Sequence, residues 1–189
     1  MFLEQFDEEF APRLGQRAAS FRVIFRELER LAEDRAELRL VETGCARVEG
    51  NWAGDGMSTV LFDAFLRAYP GRLDSYDISP QACAVARRLV GPERVTVHCE
   101  DSVAGLHAHP GPIDLLYLDS YDIDFSNPHP SATHHLRELE AALPKLSPGA
   151  LVVVDDNLPT AGKGMLVRQA LDAQGVECLF DGYQLVFRV

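Results

Sequence analysis

Residues 38 to 59, LRLVETGCARVEGNWAGDGMST, restrict the possible folds of this chain more than any other stretch. An apolar run, Leu38, Leu40 and Val41, reads as a strand and ends in an acid, Glu42. A loop follows with glycines at Gly44, Gly50, Gly54 and Gly56, and an amphipathic helix begins near Ser58. In an α/β protein, a strand, a glycine-rich turn and a helix N-terminus together cradle a nucleotide-like ligand. Glycines let the backbone turn sharply and approach the ligand, and the first free N–H groups of the helix attract a carboxylate or phosphate. A second acid, Asp77 in LDSYDISP, ends the next strand, where a carboxylate accepts both hydroxyls of a ribose. The pair points to a ligand carrying a ribose and an anionic group.

The rest of the chain alternates strand and helix. Residues 12 to 35 read as a helix with Leu14, Ala18, Phe21, Phe25, Leu28 and Leu31 on one face, preceded by Phe2, Phe6 and Phe10 at helical spacing. Strands are expected at about 38–43, 73–77, 94–98, 113–118, 150–155, 176–180 and 184–188. Helices are expected at about 57–69, 79–90, 101–107, 131–146 and 162–174. The last two strands are joined by Asp181-Gly182, a hairpin signal. Repeated βα units imply a parallel sheet covered on both faces, with the closing hairpin making its last strand antiparallel. With 189 residues and no linker or repeat, the expectation is a single domain over 1–189: a helical extension, 1–37, and a Rossmann-like core, 38–189.

Charge narrows the partners. The net charge of −11 comes from acids spread along the chain, and such a field repels phosphate backbones, so a nucleic-acid partner is not expected. No apolar run reaches membrane-span length, and MFLEQFDEEF lacks the basic start and apolar middle of a signal peptide. Cys45, Cys83, Cys99 and Cys178 are far apart in sequence without a CxxC, which suggests free thiols in a reducing cytoplasm.

Seven strands, the glycine-rich first turn, the acid after strand 2 and the closing hairpin resemble the class I S-adenosylmethionine-dependent methyltransferases. The resemblance covers residues of about 38–189. It implies a doubly wound sheet of order 3-2-1-4-5-7-6 with strand 7 antiparallel, and S-adenosylmethionine as cofactor. VETG…GDGMST looks like the sugar O-methyltransferases of macrolide biosynthesis (the macrocin type), and the acids at the ends of strands 4 and 5 are similar to those of catechol-type O-methyltransferases. On this resemblance Glu42, Gly44, Gly54 and Ser58 line the methionine end, Asp77 holds the ribose, Asp101 and Ser102 meet the adenine, and Asp119 borders the cofactor. The alternative reading of Asp101 is a cap of the helix that follows. Residues 45–53 lengthen the first loop beyond the family's compact form; within it Trp52 is either part of a lid or an anchor on the core.

The fourth strand, IDLLYLDSYD, ends in Asp119, and the fifth, ALVVVDDN, in Asp155, Asp156 and Asn157. Strand carboxyl ends face the ligand crevice of a parallel sheet, so three carboxylates and an amide converge there. Unpaired, they repel one another; a hard divalent cation, Mg²⁺ first, removes the conflict. This constellation resembles the metal positions of the two O-methyltransferase families, with Asp119, Asp156 and either Asp155 or Asn157 as ligands, and such a cation would chelate two neighbouring oxygens of a sugar or catechol-like diol. As a turn, the same Asp-Asp-Asn run needs no metal. The catechol-type lysine three positions after the strand-4 acid is replaced by Asp122. The histidines of NPHPSATHH, namely His129, His134 and His135, then become candidate general bases, Tyr121 and Asp122 candidate pocket walls, and Lys163 a solvated loop lysine or, as the lesser alternative, a group facing an anionic substrate. The expected activity is divalent-metal-assisted O-methylation of a small-molecule hydroxyl, with a homodimer as a possible assembly. A nicotinamide-dependent oxidoreductase and a non-catalytic nucleotide-binding protein share the glycine loop and strand-2 acid.

Overall fold

The computed structural model describes residues 1–158 and 161–189. The seven strands of its main sheet are β1 (Leu38–Thr43), β2 (Gly71–Asp77), β3 (Val95–Cys99), β4 (Ile113–Leu118), β5 (Leu146–Val154), β6 (Glu177–Asp181) and β7 (Leu185–Arg188). They form one sheet in the order β3-β2-β1-β4-β5-β7-β6. Pairings are parallel from β3 through β5, whereas β7 runs antiparallel to both β5 and β6. This is the Rossmann-like order that the resemblance implies.

Alternation along each strand sorts side chains onto two faces. Leu40, Leu115, Tyr117, Leu151, Val153 and Val186 face a core shared with helices α1 (Ala18–Asp34), α2 (Ser58–Ala68) and α3 (Pro80–Leu89). Val41, Leu116, Leu118, Val152, Val154 and Phe187 face the opposite core, under α4 (Ser102–Ala108), α5 (His129–Ala142) and α6 (Met165–Asp172). Every residue of β4 is buried, as expected of a central parallel strand covered on both sides.

Three helices begin or end away from the sequence reading, each for a local reason. The first long helix starts at Ala18 rather than near residue 12, because Pro12 and the left-handed Gly15 (φ +55°) break the N-terminal stretch into short helical turns. The helix expected over 131–146 starts at His129 and ends at Ala142, where Pro144 restricts it to a 3₁₀ turn before β5. The helix expected from 162 starts at Met165, since Asn157–Leu158 and Ala161–Gly162 pair as a small antiparallel ribbon.

The N-terminal segment is a structural part of the first core. Phe2 and Phe6 are buried, and Phe25 of α1 meets Phe2, Phe6 and Phe65 at ring-centroid distances of 4.8, 5.2 and 5.5 Å. Trp52 resolves as the anchor of the first loop: it is buried, stacks on Phe10 at 5.7 Å and lies under the Arg13 guanidinium. Among the described residues, no helix is long and apolar enough to cross a membrane.

Removing the ring at the middle of this cluster is expected to leave a cavity that the sheet prevents from collapsing. Phe25→Ala should cost about 3–5 kcal/mol in urea unfolding with the far-ultraviolet spectrum retained. Phe125→Ala, at a 45 % exposed ring, should fall within about 0.5 kcal/mol of the parent.

Candidate functional site

The chain leaves β1 toward β2 on one side and enters β4 on the other, so the sheet order reverses between β1 and β4. Crevices form at the carboxyl ends of such strands. Backbone bonds carry the sheet past its formal ends here: Gly44 N–H donates to Tyr76 O (2.8 Å), Asp119 N–H to Thr43 O (2.8 Å) and Asp155 N–H to Leu118 O (3.0 Å). Gly44 has φ +82°, and a Cβ there would lie 2.5 Å from the carbonyl oxygen of Asp119. Only glycine allows the two strand-end loops to come this close.

Two adjoining cavities, each of about 380 Å³, open along this edge and share Gly44, Asp77, Ile78, Ser120 and Tyr121. The inner one reaches Gly54, Ser58, Asp119 and Asp156; the outer, more apolar one reaches Asp101, Ser102 and His134. Asp77 stands between them. Its Oδ2 accepts from the Cys45 N–H (3.1 Å) and its Oδ1 from the Ser79 N–H (2.7 Å), which fixes the carboxylate and leaves lone pairs toward the cavities. Ile78 is 76 % exposed and walls both cavities. It is a site residue that the sequence reading missed, although an apolar side chain directly after the strand-2 acid was its visible signal. The expected cofactor end-groups therefore have matching surroundings: an acid for a ribose, an apolar slot for a base, and the α2 N-terminus for a carboxylate.

Several assignments need correction. Glu42 does not line the cavity. It is fully buried beneath Gly44, accepting hydrogen bonds from the hydroxyls of Ser58, Thr59 (2.7 Å) and Ser75 (2.6 Å). Ser58 lines the inner cavity with its hydroxyl directed down to Glu42. Asp101 borders the outer cavity but also caps α4, its Oδ1 accepting the Ala104 N–H at 2.8 Å. Ser102 is buried against Glu138, to which its hydroxyl donates (2.5 Å).

None of the three histidines stands at the inner cavity. His129 is exposed at the start of α5 and bonds Thr133. His135 is fully buried, pairs through Nδ1 with the Ser131 carbonyl (2.7 Å), and burial pushes it down to about 4. His134 walls the outer cavity beside the Tyr121 ring, with Nε2 3.2 Å from Glu138, whose hydrogen bond raises its pKa. The start of α5 beside the outer cavity turns His134 and His135 toward Glu138 and leaves His129 exposed against Thr133.

The strand-end acids do converge, but not as an open ligand set. Lys163, expected in solvent, is 1 % exposed, and its ammonium lies 2.8 Å from Asp119 Oδ1 and 3.0 Å from Asp156 Oδ2. Burial alone would lower its pKa; the two carboxylates outweigh that and raise it. Asp155 is fully buried and takes the Arg17 guanidinium (2.8 Å) and the Tyr117 hydroxyl (3.1 Å). Asp156, at φ +50°, accepts from Arg17 (3.1 Å) and from the Tyr183 hydroxyl (2.6 Å). Burial would raise Asp156, yet Lys163, Tyr183 and Arg17 hold it below the usual carboxylate range. Burial pushes Asp119 and Asp155 the other way, opposed by Lys163 and Arg17 respectively. Asn157 turns its amide to the Gly182 carbonyl (3.2 Å). Among the described residues, these acids do not bring three ligand oxygens within 4.8 Å of one another, and the group that does meet this condition is Cys45, Asp77 and Cys83. Its two thiols are pushed up by burial and remain protonated. The residues present thus do not fit a divalent cation. Arg17, Tyr117 and Tyr183 were missed because nothing local in the sequence ties them to β5.

The acid buried beneath the site is pushed toward neutrality. Burial raises Glu42 from 4.5 to about 7, against the opposing pull of its three hydroxyl donors. An acid whose folded value exceeds its unfolded one stabilises the fold fully at low pH, and that contribution is lost as pH climbs between the two values. Stability is therefore expected to fall between about pH 4.5 and about pH 7, by up to about 1.4 kcal/mol per unit from this group. Glu42→Gln should flatten that slope in urea midpoints, and an unaltered slope would mean the carboxyl is already ionised across the range.

A family model described as "Methyltransferase domain" matches residues 53–157. No curated protein matches the chain. Among solved structures, CalS11, a calicheamicin methyltransferase, is 16 % identical over 98 % of this chain and 84 % of its own, with a TM-score of 0.63. The O-methyltransferase NovP is 18 % identical over 87 % and 77 %, with a TM-score of 0.54. MycE from the mycinamycin biosynthetic pathway, whose structure contains Mg and SAH, is 16 % identical over 86 % of this chain with a TM-score of 0.60. This chain spans about half of MycE, 47 % of its length. At these identities the likeness is one of fold, and with a family match over more than half of its residues the chain belongs to the methyltransferase-domain family.

Proposed function

We propose that this protein, read as one unit over residues 1–189, transfers a methyl group from S-adenosylmethionine to a hydroxyl of a small molecule. The observation that carries the reading is Asp77, fixed by two backbone N–H groups between a polar and an apolar cavity at the β1/β4 switch point. A ribose bound there leaves the adenine in the outer cavity against Ile78, Tyr121 and His134, and the methionine portion in the inner one, toward Gly54 and α2. When bound, S-adenosylmethionine supplies an electrophilic methyl on a sulfonium.

The acceptor hydroxyl then sits beside Asp119. Oδ1 of Asp119 is held by Lys163, while Oδ2 has no hydrogen-bond partner among the described residues and is the atom we assign to receive the hydroxyl proton. Oxygen attacks the methyl carbon, the carbon–sulfur bond breaks, and its electron pair stays on sulfur as the positive charge is lost. NovP, an O-methyltransferase, supports oxygen as the acceptor atom. The net charge of −11 supports a small molecule over nucleic acid. The MycE structure contains Mg and SAH, but the engaged acids described above give no reason to route this reaction through a cation. The expectation of a diol lapses with the chelation it came from.

Calorimetry with S-adenosylhomocysteine tests the donor site. Binding in the micromolar range is expected for the parent, weakened about tenfold or more in Asp77→Ala, because hydrogen bonds to a charged group contribute about 1.5–3 kcal/mol. Heat with NAD and none with S-adenosylhomocysteine would replace this reading with an oxidoreductase. Asp119→Asn is expected to lower kcat by about 10²-fold or more with S-adenosylhomocysteine affinity little altered, the mark of a lost proton acceptor.

A further inference from the structure

We propose that the Lys163 ammonium, seconded by Arg17, takes among these strand-end acids the place a divalent cation would otherwise fill, so that the positive charge at this centre is built into the chain and the protein works without a metal. This rests on the methyltransferase reading for its catalytic meaning, but its core claim concerns which cation the acids hold.

The donor count is complete. An ammonium has three N–H bonds, and Lys163 Nζ has three acceptors in reach: Asp119 Oδ1 at 2.8 Å, Asp156 Oδ2 at 3.0 Å and the Asp119 carbonyl at 3.3 Å. The guanidinium of Arg17, 4 % exposed, spans Asp155 and Asp156 and donates to the Ala53 carbonyl at 3.2 Å. Asp155 Oδ1 also receives the Asp156 N–H (2.8 Å), and Oδ2 the Tyr117 hydroxyl. Of the six carboxylate oxygens, Asp119 Oδ2 alone has no partner among the described residues. Mg²⁺, Mn²⁺ and Ca²⁺ want six or more oxygens and would have to displace one or both side-chain cations. A displaced Lys163 would be left buried without a counter-charge, which is strongly unfavourable.

The position of Lys163 is set by the backbone rather than by side-chain freedom. Its N–H donates to Asp156 O at 3.2 Å, continuing the ribbon in which Gly162 faces Asn157. A Cβ on Gly162 would lie 2.7 Å from the Asn157 Cα, and one on Gly164 would lie 2.5 Å from Leu185 Cδ1. Both glycines let the segment pack closely against Asn157 after β5 and Leu185 at the start of β7, which brings the lysine between them to the strand-end acids. Electrostatics agree with the arrangement. With all three acids ionised, two cations leave one negative charge, which complements a sulfonium; an added divalent ion would make the centre positive beside it. Lys163 is thus a positioning residue, orienting Asp119 so that Oδ2 faces the acceptor.

Mn²⁺ is the probe. Titrating the purified full chain into Mn²⁺ and following the free-ion paramagnetic resonance signal, with and without S-adenosylhomocysteine, should show no binding below about 1 mM. Lys163→Met frees two acids and should gain Mn²⁺ affinity by about tenfold or more, with a lowered melting temperature that Mn²⁺ partly restores. Turnover of the parent should be unchanged by EDTA. Submillimolar Mn²⁺ binding by the parent, abolished in Asp119→Asn, overturns the proposal, and so does loss of activity in EDTA that Mg²⁺ restores. The parent titration decides the matter even where Lys163→Met does not fold. S-adenosylhomocysteine calorimetry fails or succeeds independently, so the loss of the methyltransferase reading is distinguishable from the loss of this one.

Discussion

Three carboxylates at the tips of two neighbouring strands cannot share a buried pocket unless positive charge is brought to them. Here that charge comes from opposite ends of the chain: Arg17 immediately before α1, and Lys163 from the turn between the ribbon and α6. Tyr117, Tyr183 and the Asp156 N–H supply further donors to Asp155 and Asp156, leaving Asp119 Oδ2 open among the described residues, and Gln184 donates to the Tyr117 hydroxyl at 2.6 Å. Removing either cation strands a buried carboxylate, so the network ties the N-terminal segment, β5 and the closing hairpin into one unit.

The same logic explains why the N-terminal segment is inseparable from the site. The phenylalanine cluster around Phe25 holds α1 against α2, and this places Arg17, at the foot of α1, beneath the strand tips. The guanidinium also holds the Ala53 carbonyl of the first loop, while Trp52 anchors that loop against Phe10. Packing in one layer thus sets electrostatics in another. Arg47 adds a link across the cavity mouth, 2.7 Å from Asp122, joining the first loop to the loop after β4.

The cofactor side depends on close backbone approach more than on charge. Gly44 permits β1 and β4 to meet, the buried Glu42 below it gathers three hydroxyls from α2 and β2, and Asp77 is held by main-chain donors on both oxygens. Glu42 is therefore a support for the turn, and Asp77 the group that faces a ligand. Both were visible as strand-end acids, yet only the register of β1 against β2 separates the buried one from the one at the cavity.

Local pattern was enough for what local physics controls. Alternating apolar residues and turn glycines in the chain marked the seven strands, the hairpin at Asp181-Gly182, the strand-2 acid and the strand-4 and strand-5 acids, since burial on a covered sheet imposes those periodicities whatever the neighbours are. Proline and glycine shifted helix ends by several residues, an effect of backbone geometry that periodicity does not weigh. What each polar side chain meets was decided only in three dimensions. His134 and His135 turn to Glu138, Lys163 is buried between Asp119 and Asp156, and Arg17 reaches Asp155 across 138 positions of sequence. Ion pairs act through space with no memory of chain separation. The same acids that read as metal ligands along the chain therefore become, once folded, the partners of a lysine and an arginine.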